Sequence, residues 1–175
     1  LFATNTNEDG IPFEQARDHL DTIPGVAKRA AEAIIAEIGV DMSRFPTAGH
    51  LASWAGMAPG NNITGGKRGS GRTTKGDVWL GEILNQCAWS AARTRDTYLS
   101  GQFWRLARRI GNRKAAVAVG HSILVICWHL IANDADYQDL GGDYFTRRND
   151  PDRHRDRLIE QLHHLGYRVT LDRVA

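Results

Sequence analysis

The run from Ala115 to Ala132 is the longest apolar stretch in the chain, and it is long enough to raise the question of a membrane span. Gly120, His121, Ser122 and His129 interrupt it, so it reads as the buried central helix of a globular fold. Such a helix needs covering on every side, and its neighbours carry the faces to do it. Leu80, Ile83, Leu84, Cys87, Ala88 and Ala91 recur at helical spacing, as do Leu99, Phe103, Leu106 and Ile110. The expected class is therefore mainly α.

Local signals place further helices. Pro12 opens one that runs to about Leu20, and Lys28 to Ile38 makes a second, closed by Gly39. Thr47 can cap a short helix ending at Gly56, and Asp77 can cap the next long one. Leu158, Ile159, Leu162 and Leu165 form an apolar stripe before Gly166. Tyr167, Val169 and Leu171 then alternate with polar residues, as in one short C-terminal strand. With 175 residues and 42% hydrophobic content the chain can bury one proper core. Cys87 and Cys127 lie in apolar segments and read as core thiols of a reducing, cytoplasmic compartment. The expected divisions are a polar N-terminal segment with the start of the first helix (1–19), a helical domain (20–133) and an appendage (134–175).

Between the two capped helices lies the stretch richest in chemistry. Gly56 to Asp77 holds seven glycines, several hydroxyls and the cations Lys67, Arg68, Arg72 and Lys75, and no acid occurs between Asp41 and Asp77. Glycines let backbone N–H groups approach a ligand, and the cations supply charge and donors, so the loop suits phosphate. From Lys67 to Lys114 the chain carries eleven cations and three acids, whereas its total is only +2. Positive charge is thus concentrated in one band, as in a protein that meets nucleic acid or another polyphosphate. A solvated helix face is the plainer alternative.

Leu20 to Ala31 resembles the hairpin of a helix-hairpin-helix motif, in which a Gly-apolar-Gly turn offers N–H groups to a DNA phosphate. Gly25 fits the first glycine, and Ala27 stands where the second belongs. Lys28 and Arg29 begin the following helix against its dipole, an arrangement an adjacent anion would favour. Asp134, Asp136, Asp139, Asp143, His154, His163 and His164 form no recognised ligand pattern. His121 and His129 read as core histidines, and no metal site is assigned.

The segments Ile23-Pro-Gly-Val, Phe45 to Asn62 and Gly65 to Asp77 together resemble the C-terminal domain of one group of bacterial insertion-sequence transposases. In this group, the IS-one-ten or bridge-RNA family, a DEDD, RuvC-like nuclease domain precedes a serine-bearing domain. Ala115 to Ile126 and Tyr137 to Phe145 are similar to members as well, so the likeness runs from about Leu20 to the end.

The resemblance implies a compact helical domain that binds DNA and a structured guide RNA. It also implies a hydroxyl nucleophile for strand cleavage and rejoining, with the chain inactive alone, without its RuvC-like domain. The family serine position is occupied here by Thr64, followed by Gly65, Gly66, Lys67 and Arg68, and Ser70 is the reserve candidate. Threonine keeps the hydroxyl but adds a methyl group and stiffens χ1. The implied nucleic-acid contacts are Gly25, Lys28, Arg29, Gly65, Gly66, Lys67, Arg68, Arg72 and Lys75. The chain itself is expected to bind no cofactor, Mg2+ belonging to the RuvC-like domain. Other expectations are homo-oligomerisation, no membrane, association with the nucleoid, and a chain that is the C-terminal half of a longer protein. A non-catalytic nucleic-acid-binding module and an inactive remnant remain as alternatives.

Overall fold

The computed structural model describes residues 11–58, 76–147 and 151–171, with residues 63–64 and 67–68 described by their backbone, as are 151, 153 and 154 within a helix. The helices are α1 (Phe13–Asp21), α2 (Lys28–Ile38), α3 (Ala48–Trp54), α4 (Val78–Arg93), α5 (Tyr98–Ile110), α6 (Asn112–Asn133), α7 (Tyr144–Arg147) and α8 (Pro151–His164). A 3-10 turn at Met42–Arg44 and a minimal hairpin, β1 (Ile63–Thr64) and β2 (Lys67–Arg68), complete the order.

α6 is the central helix. Its buried residues, including Ala115, Ala116, Val119, Ile123, Leu124 and Cys127, face α3, α4 and α5, and α1 packs against it as well. It has the length and composition of a membrane span, but half of its most apolar window is buried inside the molecule, as in a core helix. At Gly120 a Cβ would lie 3.2 Å from the Leu84 carbonyl oxygen and 3.3 Å from Met57 Cε, so the missing side chain is what lets α6 and α4 pack closely.

The three long helices run up, down and up. Ser100 Oγ and Trp104 Nε1 of α5 both donate to the Ala92 carbonyl, at 3.2 and 3.0 Å, so α5 folds back along α4. Gln102 Nε2 donates to Ser122 Oγ at 2.8 Å, so α6 in turn folds back along α5. α4 and α6 therefore point the same way, and the start of α4 shares one end of the unit with the finish of α5 and the start of α6.

The expected caps are present: Thr47 Oγ1 accepts from the His50 N–H, and Asp77 Oδ1 accepts from the Leu80 N–H at 2.9 Å. Gly39 follows α2 with φ of 76°, a value glycine adopts without strain. Cys87 and Cys127 are free and buried, and burial pushes the Cys87 thiol up to about 11.

Two expectations are corrected. Residues 167–171 form no strand; Tyr167 and Leu171 stay exposed, and an isolated strand has no partner for its backbone groups. Leu158 and Leu162 of α8 and the following Leu165 are exposed as well, so that stripe faces solvent. His129 is not a core histidine but an exposed residue whose ring meets Trp128 edge-on at 4.9 Å. His121 is half-buried, and burial lowers its pKa.

Candidate nucleic-acid interface

The glycine-rich loop leaves the core at the end of α3 and returns at the start of α4, and its two roots touch. A Cβ added to Gly76 would overlap the Ala55 carbonyl group and the Gly56 nitrogen, so only glycine permits this approach. Gly56 has φ of 68° and turns the chain outward, while Met57 and Ala58 N–H groups donate to the Ala52 carbonyl at 2.9 and 3.1 Å. The loop is thus a closed excursion from a rigid base.

Within it, β1 and β2 pair antiparallel, with Thr64 opposite Lys67 and Ile63 opposite Arg68. Sequence reading missed this hairpin because two-residue strands carry no periodicity. The available signal was the glycine pair, since a two-residue connection favours residues that accept positive φ. Thr64, Lys67 and Arg68 are thereby brought together along the backbone. Gly65, Gly66, Ser70, Arg72 and Lys75 lie outside the described residues.

The root carries two further features. The Glu37 carboxyl, at the end of α2, is held above its ordinary pKa by the hydrogen bond and the charge of Asp77 beside it. Beside this acidic pair, Val78 and Trp79 in the first turn of α4 and Trp54 at the end of α3 are exposed.

The helix-hairpin-helix-like turn lies elsewhere. Gly25 has φ of 91°, and its missing Cβ would sit 2.7 Å from the Cys87 carbonyl oxygen and 2.8 Å from Ala91 Cα. Packing on α4 is therefore sufficient reason for this glycine. From Asp77 to Ala91 the helix rises by about 21 Å, which separates the two motifs. α2 still begins with exposed Lys28 and Arg29, with Ala27 at its cap, no side-chain capping bond and no acid in its first turn.

The basic band divides accordingly. Arg108, Arg109, Arg113 and Lys114 are exposed at the end of the three-helix unit that holds the loop root. Arg93 and Arg95 are exposed at the other end, where the hairpin packs. No Asp or Glu occurs between Asp96 and Asp134, so α5 and α6 carry no carboxylate at all.

The tail acids have structural partners. His19 Nδ1 meets Asp136 Oδ1 at 2.6 Å and Nε2 meets Asp134 Oδ1 at 2.8 Å, tying α1 to the end of α6. Burial alone would lower the His19 pKa, but the two carboxylates outweigh it and the net shift is upward. Asp139 accepts from the N–H groups of Tyr98 and Gly141, and Asp143 pairs with Arg147 at 2.9 Å. Among the described residues no group of three or more ligating side chains converges on a metal position.

The sequence of this same loop-bearing region is matched by a family model, that of the Transposase IS116/IS110/IS902 family, over residues 17–105. The chain belongs to this transposase family. The matched span runs from within α1 to within α5 and so includes both the hairpin and the loop. An insertion element IS110 protein of 43.6 kDa from Streptomyces coelicolor, described as uncharacterized, is 39% identical over 82 residues. That similarity covers 43% of this chain and 20% of the Streptomyces protein, so the chain matches about a fifth of that curated relative. The segments from Ala115 onward that resemble transposases lie beyond the family-model match.

Proposed function

We propose that this transposase chain binds DNA and a structured guide RNA and contributes a hydroxyl nucleophile, Thr64, to strand cleavage and rejoining. The observation that carries the reading is the pairing of Thr64 with Lys67 on a loop whose roots are locked together. A hydroxyl attacks a phosphodiester only when its proton is removed and the phosphate charge is offset. Lys67, Arg68, Arg72 and Lys75 meet the second need, with the Gly65 and Gly66 N–H groups as further donors. In the step itself Thr64 Oγ1 bonds to phosphorus and one DNA ester bond breaks. A base takes the threonine proton, and the departing oxygen gains one. Ser70 is the reserve nucleophile.

Gly25, Lys28 and Arg29 form a second phosphate contact at the hairpin, supported by the uncapped, acid-free start of α2. In the complete enzyme the Mg2+ would be held by the RuvC-like domain, and this chain supplies the hydroxyl and the cations. Homo-oligomerisation brings two element ends together, and the protein works in the cytoplasm at the nucleoid.

One observation favours a second reading. Thr64 stands at the family serine position, and its extra methyl group crowds the attacking oxygen, which suits a domain that only positions nucleic acid. The test is to incubate the complete transposase carrying this domain with element-end DNA and guide RNA, and to look for a covalent protein–DNA adduct. The nucleophile reading expects an adduct that Thr64→Ala abolishes and Thr64→Ser preserves. An adduct seen only with Thr64→Ser supports the non-catalytic reading, and one unaffected by Thr64→Ala moves the chemistry to Ser70.

A further inference from the structure

The exposed aromatic surface at the loop root has no role in the reading above. Val78 is 77% and Trp79 72% exposed, in the first turn of a helix whose next face residues, Leu80 and Leu84, are fully buried. Asp77 caps this turn, so Trp79 projects from a fixed base. Trp54 is 47% exposed on the other root, steadied by Phe45 at a ring distance of 5.5 Å. The contact of Gly76 with Ala55 brings these two roots side by side.

The remaining tryptophans are engaged: Trp89 packs on Phe103 at 5.2 Å, Trp104 donates to Ala92 and Trp128 donates to Phe45. Trp79 makes no such ring contact or hydrogen bond among the described residues. Large apolar groups left in water at a rigid position mark a binding surface. The charge around this one selects the partner. The roots enclose four cations and no acid from Met42 to Gly76, whereas the Glu37–Asp77 pair lies directly at the root. A phosphate is repelled from this acidic root and drawn to the exposed Arg108, Arg109, Arg113 and Lys114 at the same end of the unit, so a nucleotide here turns its base and not its phosphate to the aromatic surface.

We propose that Trp79, on a root shared with Val78 and Trp54, is a stacking platform for an unpaired nucleobase of the nucleic acid that this chain binds. This rests on the nucleic-acid reading and adds a preference for single-stranded over fully paired partners at this site. A duplex keeps its bases stacked on one another and meets the loop through phosphates only. A single strand can lay a base on the indole, an interaction that tolerates any base because each has a π-face.

The test uses the chain itself with two probes, a fluorescein-labelled thymidine oligonucleotide and the same strand annealed to its adenine complement, followed by anisotropy. Trp79→Ala is expected to weaken binding of the single strand roughly 5- to 100-fold. Duplex binding stays within about twofold, because its phosphate contacts are untouched. Trp79→Phe retains most of the single-strand affinity, and a thermal melt of each variant verifies the fold. Arg68→Ala with Arg72→Ala weakens both probes. Equal losses on both probes for Trp79→Ala, or no loss on either, overturn the platform while leaving the nucleic-acid reading intact. Failure of the unmodified chain to bind either probe at low salt overturns both.

Discussion

The two ends of α4 each meet a glycine, and the two glycines do different things. At the C-terminal end Gly25 lies against the helix backbone at Cys87 and Ala91. At the N-terminal end Gly76 closes a loop against Ala55 while the adjacent residues, Val78 and Trp79, face solvent. One contact joins the hairpin to the core; the other gives a projecting loop a firm base. A glycine in a motif that resembles a phosphate-binding turn is thus not evidence of phosphate by itself. The surroundings decide, and only the loop end combines closure with exposed apolar surface and a sequence, Met42 to Gly76, that carries no acid.

The sharpest way to break this comparison is to fill both gaps. Gly25→Ala adds a methyl group against backbone that cannot move aside and forces alanine to a φ of 91°. The expected loss is about 3–5 kcal/mol, a fall in Tm of about 10 °C in a chain of this size. Gly76→Ala should cost less, about 1–3 kcal/mol, because it adds the same overlap without the left-handed φ that Gly25 has. It should also weaken nucleic-acid binding at the loop in proportion, whereas Gly25→Ala, measured below its melting temperature, should weaken only the separate phosphate contact at the hairpin. Thermal unfolding followed by circular dichroism, paired with a binding titration, separates the two. A larger stability loss at Gly76 would mean that the loop root, not the hairpin, is the structural centre.

Charge offers a gentler probe. On duplex long enough to span both ends of α4, Arg108→Ala with Arg109→Ala and Arg93→Ala with Arg95→Ala should each lower the salt slope of binding by about two units. On duplex shorter than about 20 Å only the loop-end pair should matter. Equal effects on the short duplex would show that the two clusters act as one surface.

The smallest effect is expected away from both ends, at the His19 latch. Between two ionised carboxylates both ring nitrogens donate, so the folded form favours the imidazolium. With the folded pKa raised, this stabilisation is complete below the ordinary histidine pKa of about 6.5 and is lost as pH rises through the folded value. His19→Gln should therefore cost about 1 kcal/mol at pH 6 and less at pH 9, modest because Asp134 and Asp136 are largely exposed. A variant equally destabilised at both pH values would show that the ring acts through packing.

Much of the fold was legible because local chemistry decided it. Lys28 to Ile38 is bounded by a following glycine, Thr47 and Asp77 have side chains that cap helices, and the faces of α4 and α5 have clear helical spacing. Ile110 is the exception on α5: it is 37% exposed because the helix ends there, beyond its neighbours. The C-terminal strand was misread because alternation alone cannot supply a pairing partner. The site was legible only in composition. Nothing local to Gly25 or Lys67 tells that α4 will hold the hairpin and the loop at opposite ends, since that separation comes from how α2 lies along α4. The His19 latch escaped notice for the same reason, its two carboxylates lying more than a hundred residues away in sequence.

Because the two roots of the glycine loop already touch, the helices do not depend on the length of what lies between them. For a chain segment with joined ends, the closure entropy grows so slowly that doubling the length costs only about 0.6 kcal/mol. A change of length between Ala58 and Gly76 is accordingly tolerated by the helical core, provided that Thr64, Lys67 and Arg68 keep their pairing. A new specificity can be grafted there, or a spectroscopic label introduced, without redesigning the core beneath it.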